Sequence, residues 1–330
     1  MNSYKKNRVM LFKKFGWWVS AKILKASLRF IRICPVSFLP KLGDGFGMIA
    51  YHLLTHRQKT GYENIKIAFG SETSKSEKKA LIKANFNHIA RDMIETAYCC
   101  IKPQAQSFLK KNISVRGKEH LDRALKKGKG VIAISAHIGN FPIIGAKMAT
   151  LGYSFWVINK NPNNIYLIDL FRQCKDHLRI GFIPYKPRRV CVSESLKVLR
   201  NNGIIFLQID QNPHKKAGTF VEFFGYQVPT YSGPVVMAFR TGAAIVPVFI
   251  QRNGNNTETI TFLPEISLKR SEDRKQDYID NLRIINIVCE DWIRKYPEQW
   301  WWIHRRFRRA RKITTQNKTN NVKTKSLPLS

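Results

Sequence analysis

The amino-acid sequence predicts an α/β protein with a central mixed sheet flanked by helices. Apolar runs of strand length recur through the middle of the chain, at 130–135, 154–158, 203–209 and 244–250. Runs of this kind are typical of strands that are buried on both faces. Stretches with helical spacing accompany them, at 142–150, 164–178, 193–201 and 233–241. Alternation of the two patterns favours a sheet covered by helices.

The composition is that of a globular protein with a large excess of positive charge. Of the 330 residues, 44% are hydrophobic and 24% are charged, which excludes a chain disordered throughout and a small disulfide-framework domain. Lys and Arg number 57 against 22 Asp and Glu, a formal net charge of +35. More than half of this excess comes from two segments without acidic residues, 1–34 and 304–330. A surplus of this size implies a polyanionic partner, such as nucleic acid, anionic lipid or an acidic protein.

Residues 1–40 are predicted to form a basic amphipathic segment that anchors the protein to a membrane surface. Apolar side chains recur every three or four positions on one helical face, at Phe12, Phe15, Val19, Ile23, Ala26, Phe30 and Ile33. A second face carries Lys22, Lys25, Arg29 and Arg32. Such a helix can lie in a bilayer interface with its cations at anionic headgroups, and the alternative is a helix packed on the domain with a solvated basic face. No run of about 20 uninterrupted apolar residues predicts a spanning helix, and Pro35 and Pro40 end the segment.

The main domain is predicted to span residues 41–312, followed by a disordered basic tail at 313–330. Its further elements are helices at 46–56, 76–101, 118–127 and 272–296 and a strand at 256–263. The cysteines are scattered and show no spacing typical of a zinc site: Cys34, Cys99, Cys100, Cys174, Cys191 and Cys289. We therefore expect buried core thiols in a reducing compartment and no bound metal.

The most specific local pattern is Ser-Ala-His-Ile-Gly-Asn-Phe at 135–141, directly after the apolar run 130–134. In an open α/β sheet, ligands bind at the carboxyl ends of the strands. A histidine there, His137, is suited to act as a general base, and Gly139 lets another group approach the backbone. A structural turn histidine is the alternative explanation.

Four longer blocks between residues 128 and 308 carry a resemblance that runs from about residue 10 to about residue 310. They are GKGVIAISAHIGNFP at 128–142, VINKNPNN and GFIPYKPRR within 157–189, FLQIDQN, FVEFFG and YSGPVVMAFRTGAAIVPVF from 204 onward, and PEQWWWIHRRFR at 297–308. With these blocks the chain resembles the lipid A late acyltransferases, the lauroyl and myristoyl transferases of the lysophospholipid acyltransferase superfamily.

The resemblance implies a glycerolipid acyltransferase-like fold and a reaction. A fatty acyl chain would move from a thioester donor, expected to be acyl carrier protein, to a hydroxyl of a lipid A precursor or related glycolipid. His137 would take the hydroxyl proton, and the resulting alkoxide would attack the thioester. Because the thioester is a substrate, no cofactor is expected. The expected partners are acyl carrier protein, anionic membrane lipids and the lipid A precursor, at the cytoplasmic face of a bacterial inner membrane, with the protein peripheral or monotopic.

One position departs from the family pattern, which is His, four residues, then Asp or Glu. The acid orients the imidazole, and here the corresponding residue is Pro142, which cannot do so. Asp210 after the strand 203–209, or Glu222, would then supply the acid in space. Alternatively His137 works alone, or the chemistry is lost and a lipid-binding relative remains. Asp210 is the first choice, with a helix-cap or turn role as its alternative.

The candidate substrate-binding residues are Gly139, Asn140, Lys160, Asn164, Arg188, Arg189, Phe223, Phe224 and Gly225. Lys160 with Asn164 could hold a phosphate or polarise the thioester carbonyl, unless Lys160 is simply solvated. Arg188 and Arg189 lie in a predicted loop, and the planar guanidinium is suited to phosphate.

Each of two aromatic clusters has two possible interpretations. Phe223, Phe224 and Gly225 form an aromatic turn that could line an acyl-chain groove, although phenylalanine runs are more often core. The run 300–302 of tryptophans, followed by Arg305 and Arg306, suits contact with lipid headgroups or packing under the sheet. A nucleic-acid-binding protein is a competing class because of the charge, but no zinc-finger, helix-turn-helix or RNA-binding signature is present, so no nucleic-acid partner is expected.

Overall fold

The computed structural model describes residues 2–70, 73–102, 105–213 and 218–312. The helices in these ranges are α1 (Asn2–Ile33), α2 (Leu39–Leu53), α3 (Thr55–Phe69), α4 (Lys75–Ile101), α5 (Ala105–Asn112), α6 (Lys118–Leu125), α7 (Ile144–Thr150), α8 (Ile168–Leu178), α9 (Arg188–Arg200), α10 (Gly233–Thr241) and α11 (Arg274–Lys295). Short 3-10 helices lie at Val36–Phe38, Phe141–Ile143, Ile165–Leu167, Pro297–Gln299 and Arg306–Arg309.

The strands are β1 (Ile113–Arg116), β2 (Val131–Ser135), β3 (Phe155–Asn159), β4 (Gly181–Pro184), β5 (Ile204–Gln208), β6 (Thr219–Phe223), β7 (Tyr226–Thr230), β8 (Ala244–Arg252), β9 (Glu258–Phe262) and β10 (Arg311–Lys312). Seven of them form the main sheet in the order β1-β9-β8-β2-β5-β3-β4. Strands β8 and β9 pair antiparallel and the other neighbours pair parallel. The predicted mixed sheet with flanking helices is therefore confirmed. Strands β6, β7 and β10 form a small antiparallel sheet.

Strand β2 explains why the sequence around it is apolar without interruption. It lies in the middle of the sheet and is buried along its whole length. Its Ile132 and Ile134 belong to one core, with residues of α9, α10 and α11, whereas Val131 and Ala133 belong to a second core, with residues of α5, α6 and α7. Because successive side chains of a strand point to opposite faces and both faces are covered, every position of β2 is apolar or small.

Helix α4 crosses the second face and begins with a capping box. The Ser74 hydroxyl accepts a hydrogen bond from the backbone N–H of Glu77, and the Glu77 carboxylate accepts from the backbone N–H of Ser74. Helix α2 packs closely on α4 through Gly43 and Gly47. A Cβ at Gly47 would lie 2.6 Å from the Cα of Asn87, so the two backbones can approach this closely only with glycine at that position.

The predicted N-terminal helix is present as α1, and its predicted apolar face is exposed. The most exposed large apolar side chains of that face are Phe12, Phe15, Ile23, Phe30 and Ile33, each at least half exposed. A different, narrower face buries Ala21, Leu28 and Ile31, and the helix contacts α4. Among the described residues, no helix is both long enough and apolar enough to cross a membrane.

Several elements were not predicted from the sequence. Helices α3 and α5, the edge strands β1 and β4, and the hairpin of β6 and β7 are short or polar, so their periodicity is weak. Phe224 and Gly225 form the tight turn of that hairpin, with φ of 49° and 73°. The tail predicted to be disordered, 313–330, lies outside the described residues.

The prediction of unpaired thiols is wrong for two of the six cysteines. Cys100 of α4 and Cys174 of α8 form a disulfide, because the packing of these helices joins positions 74 residues apart in the sequence. Cys34, Cys99 and Cys289 are buried free thiols, and Cys191 is half-buried.

Candidate active site

Sheet register brings His137 and Asp210 together. Strands β2 and β5 are parallel neighbours in which Ser135 is aligned with Gln208. His137 and Asp210 each lie two residues beyond this aligned pair, at the same edge of the sheet. The ring Nδ1 of His137 lies 2.7 Å from Oδ1 of Asp210. The two residues that the sequence singles out from separate blocks are thus in direct contact.

Both carboxylate oxygens of Asp210 accept hydrogen bonds, and the side chain is buried, with only 3% of it exposed. Its Oδ2 accepts hydrogen bonds from the backbone N–H of His137 at 2.8 Å and from the indole N–H of Trp300 at 2.7 Å. Burial alone would raise the pKa of Asp210. Attraction to His137 and the hydrogen bonds from His137 and Trp300 outweigh burial and lower this pKa to about 2. Asp210 is therefore a carboxylate at neutral pH.

The ionised carboxylate determines which ring nitrogen of His137 carries the proton. A carboxylate only accepts hydrogen bonds, so Nδ1 of His137 must donate, and in the neutral ring Nε2 is left with its lone pair. The side-chain nitrogen of Gln211 lies 2.9 Å from this Nε2. An amide nitrogen only donates, so Gln211 donates to the lone pair, which is consistent with the same tautomer.

The segment after α11 clamps the loop that carries His137. Ile138 and Trp300 form an isolated antiparallel bridge, and the backbone N–H of Gly139 donates to the carbonyl of Gln299 at 3.0 Å. Gly139 has φ of +56°, and a Cβ there would lie 2.3 Å from the carbonyl oxygen of Ile250, so the loop requires glycine at this position. This is a structural reason for Gly139, and its predicted contact with substrate stays a prediction.

Two aromatic rings pack on the imidazole of His137. The ring of Phe141 lies edge-on at a centroid distance of 4.8 Å, and the ring of Trp301 lies at 5.6 Å. The backbone N–H of Trp301 donates to the carbonyl of His137. The indole N–H of Trp301 is buried and has no hydrogen-bond partner among the described residues.

An apolar cavity of about 330 Å³ begins beside these rings. Its walls come from α1, α4, α8 and the loop after β2, and include Leu24, Leu28, Met93, Ala97, Ile101, Phe141, Pro142, Leu170, Phe171 and Trp301. Pro142, which stands at the position of the usual family acid, thus forms part of an apolar wall. Leu24 and Met93 are 39% and 60% exposed, so the cavity opens to the surface at these residues.

Beneath the loop lies a buried ionic network centred on Arg252. Its guanidinium donates to the carboxylates of Asp92, Glu95 and Glu258, at distances of 2.6 to 3.0 Å. Burial, only partly offset by Arg252, raises the pKa of Asp92 to about 7. These three carboxylates approach one another closely enough to suggest a metal site, but the guanidinium of Arg252 already supplies the cation there.

Asn140 belongs to this network. It is fully buried, its Oδ1 accepts from the hydroxyl of Thr96, and its amide nitrogen donates to Glu95. Its predicted contact with substrate stays a prediction. Its hydrogen bonds tie the loop of His137 to α4.

The residues that were predicted to bind phosphate have different structural surroundings. The amide of Asn164 donates to the backbone carbonyl of Trp17, and its Oδ1 caps the short helix at Ile165–Leu167, so Asn164 fastens α1 to the domain. Lys160 is exposed in the loop after β3. Arg188 and Arg189 are exposed in the first turn of α9, and not in a loop as predicted.

Phe223, Phe224 and Gly225, which were predicted to line a groove, are not among the residues that line the cavity beside His137. Phe223 and Phe224 are 1% and 5% exposed and pack against Trp300 and Phe307 in the core. The hairpin turns both rings inward, away from the cavity walls. Trp300 and Trp302 are buried as well, which excludes them from contact with lipid headgroups.

Two groups beside the site were missed by the sequence analysis. Gln211 and the Trp301 indole lie next to His137. Gln211 was given no role, and Trp301 was assigned only to lipid headgroups or to packing under the sheet. The cavity was missed because its walls come from three helices that are distant in the sequence. Arg57 was also given no role, and its guanidinium donates to the carbonyl of Ile303. The carbonyl of Arg305 accepts from Asn212, which follows Gln211.

The fold and the site together define an α/β enzyme with a histidine–carboxylate pair at the carboxyl edge of the sheet, beside an apolar cavity. This arrangement fits the transfer of a fatty acyl group. The chain belongs to the bacterial lipid A biosynthesis acyltransferase family, whose model matches residues 5–309. It is therefore an acyltransferase.

Relatives with assigned activities agree with the family. The chain is 25% identical over 280 residues to the lipid A biosynthesis lauroyltransferase of Escherichia coli, covering 83% of this chain and 86% of that protein. It is also 28% identical over 137 residues to a phosphatidylinositol mannoside acyltransferase of Mycobacterium tuberculosis, covering 40% of this chain and 42% of that protein. Among solved structures, a 1-acyl-sn-glycerophosphate acyltransferase of Thermotoga maritima matches with a TM-score of 0.34 and 13% identity, covering 72% of this chain and 96% of that chain.

Proposed function

We propose that this protein transfers a fatty acyl chain from an acyl-thioester donor, acyl carrier protein, to a hydroxyl of a lipid A precursor at the cytoplasmic face of the inner membrane. His137 is the general base and Asp210 orients it. The observation that carries this proposal is the 2.7 Å contact between Nδ1 of His137 and Oδ1 of Asp210. It supplies the acid that this chain lacks at Pro142, where the family pattern has Asp or Glu.

The proposed reaction proceeds in two steps. Nε2 of His137 takes the proton of the acceptor hydroxyl while its oxygen forms a bond to the thioester carbon, and the carbonyl oxygen becomes an oxyanion. The C–S bond then breaks, and the leaving thiolate takes the proton back from the imidazolium. Asp210 remains a carboxylate throughout and stabilises the imidazolium, as in serine-hydrolase triads.

The oxyanion needs hydrogen-bond donors, and the indole of Trp301 is our candidate. Its N–H is buried without a partner among the described residues, and its ring packs on His137. A buried donor without a partner is costly unless a ligand or water satisfies it. An oxyanion at this place would do so.

The cavity beside His137 suits the acyl chain. Its walls are apolar, and each buried methylene contributes about 0.8 kcal/mol. The cavity opens at Leu24 of α1, a helix whose apolar face is exposed. Anchoring of this face in the bilayer would place the mouth of the cavity at the membrane surface, where lipid substrates reside.

The positive charge of the protein fits both anionic substrates. Arg57 and Arg305 are exposed, and each is tied to the segment that follows Trp301, where they would attract the phosphates of a lipid A precursor. The basic surface would also attract the acidic acyl carrier protein. An inactive lipid-binding protein is less well supported, because the histidine–carboxylate pair is complete.

Transfer of a labelled acyl group from acyl carrier protein to a lipid A precursor tests this function. Wild-type protein and the His120→Ala variant, altered on α6, should both produce the acylated lipid. The His137→Ala variant should lose activity by at least a hundredfold while retaining its thermal stability. Retention of activity within tenfold would remove His137 from the role of base.

A further inference from the structure

The lone pair that the reaction needs is covered in this structure. Nε2 of His137 accepts a hydrogen bond from the side-chain amide of Gln211 at 2.9 Å. A base whose acceptor atom is already occupied cannot take a proton from a hydroxyl until the occupant leaves. The arrangement is therefore a resting state, and the acceptor has to displace Gln211 before transfer begins.

Gln211 is well placed to move. It is the first residue after Asp210, whose carboxylate is fixed by three hydrogen bonds, and its own side chain is only partly buried. The described contacts hold the amide of Gln211 by its bond to His137. The orienting acid is thus rigid, while the neighbouring amide can rotate away from Nε2.

We propose that Gln211 is a positioning residue that caps His137 and reserves it for the lipid acceptor, so that water does not hydrolyse the acyl donor. This inference rests on the proposed function. If water displaced Gln211, its proton would pass to Nε2, its oxygen would bond to the thioester carbon, and loss of the thiol would release a free fatty acid. The acyl group would then be lost without acylation of the acceptor.

The hydrogen bond from Gln211 discriminates against water and in favour of the lipid acceptor, because these two nucleophiles differ in the binding energy that they gain at the site. A hydrogen bond of ordinary net strength favours the capped state by about fivefold. Water gains little from replacing the amide, whereas a lipid acceptor binds through its headgroup and acyl chains as well. Binding energy from these remote parts can offset the displacement of Gln211.

The test compares hydrolysis with transfer in Gln211→Leu and Gln211→Ala. Labelled acyl carrier protein is incubated with each enzyme, with and without a lipid A precursor, and free fatty acid and acylated lipid are counted separately. The control Asn212→Leu alters the next residue, whose amide donates to Arg305 and not to His137. The His137→Ala variant, tested alongside, shows whether both products depend on the proposed base.

We expect the ratio of hydrolysis to transfer to rise about fivefold in both Gln211 variants and to stay unchanged in Asn212→Leu. A general loss of structure would lower both products together and leave the ratio constant. An unchanged ratio in variants that remain folded, including a parallel fall of both products in such variants, would overturn the proposal. If transfer is absent even in the wild type, the proposed function fails and not the cap alone.

If the Gln211 variants do not fold, a measurement on the wild-type protein tests the proposal instead. Nitrogen-15 NMR of the histidine rings reports whether Nε2 of His137 accepts a hydrogen bond in the free enzyme. We expect this bond, and we expect it to change partner when a lipid A precursor is added. An Nε2 with no hydrogen bond in the free enzyme would contradict the proposal.

Discussion

Asp210 holds His137 at two points, through Oδ1 to the ring Nδ1 at 2.7 Å and through Oδ2 to the backbone N–H at 2.8 Å. A carboxylate that binds both the ring and the main chain of one histidine limits rotation of the ring as well as movement of its loop. It also keeps the proton on Nδ1, so that the opposite nitrogen, Nε2, is left as an acceptor. In serine hydrolases a carboxylate hydrogen-bonded to the ring Nδ1–H likewise fixes the tautomer of the histidine.

Asp210→Asn should lower kcat by about 10³–10⁴-fold with little change in the KM for the lipid acceptor. The amide preserves size but can donate to Nδ1, which favours the wrong tautomer of His137. Steady-state kinetics with acyl carrier protein as donor measures the effect. The matched control is Glu222→Gln, because Glu222 pairs with Arg283 at 3.1 Å and was the other carboxylate predicted from the sequence. Equal losses in the two variants would argue against a special role for Asp210.

Trp301→Phe should lower kcat by about 10²-fold, because it removes a candidate oxyanion donor while keeping an aromatic ring against His137. Trp156→Phe is the control, since the Trp156 indole donates to Ser154 outside the site. Turnover by Trp301→Phe within threefold of the wild type would exclude the indole from this role.

Ala97→Phe should shift the preference of the enzyme toward shorter acyl chains. Ala97 lines the cavity on α4, and a phenyl ring there would fill part of its 330 Å³. Competition between acyl carrier proteins loaded with chains of ten to sixteen carbons measures the preference, with Lys83→Phe on the exposed side of α4 as control. An unaltered chain-length profile would mean that the acyl chain lies elsewhere.

Phe15→Ser, Ile23→Ser and Phe30→Ser, combined, should weaken binding to vesicles that contain anionic lipid by at least tenfold. These side chains are 64%, 62% and 50% exposed on one helix, and each loses apolar area that the bilayer would bury. The control combines Leu151→Ser, Val190→Ser and Ile287→Ser, which are also exposed but lie on other elements. Flotation with vesicles provides the measurement, and equal binding of the two triple variants would place the membrane contact outside α1.

Asp92→Asn should make the free energy of unfolding less dependent on pH between about pH 4 and pH 7. Burial raises the pKa of Asp92 to about 7, compared with about 3.9 in an unfolded chain. The folded protein therefore keeps a proton that the unfolded chain releases, and this contribution is present near pH 4 and lost as the pH rises to 7. The free energy of unfolding is measured with urea at pH 5 and at pH 8. The difference between these two values should be at least about 1 kcal/mol smaller in Asp92→Asn than in the wild type. Asp169→Asn, on an exposed carboxylate, should leave the difference unchanged.

Local signals in the sequence were enough to predict the central strands of the sheet and the position of His137. Strands β2, β5 and β8 are buried on both faces, so their composition alone distinguishes them from helices and loops. His137 and Asp210 could be predicted as neighbours because each follows such a strand, and the carboxyl ends of parallel strands lie at one edge. The choice between Asp210 and Glu222 required the register of β2 with β5, in which Ser135 faces Gln208.

The apolar cavity beside His137 is determined by tertiary structure alone. Its walls come from α1, α4 and α8, and the aromatic turn that looked suited to the purpose, Phe223 and Phe224, lies in the core instead. An apolar side chain has the same sequence signal whether it faces a core, a cavity or a membrane. Only the packing of helices against one another decides between these environments. Examples of the three are Phe223 in the core, Ala97 at the cavity and Phe15 on the exposed face of α1.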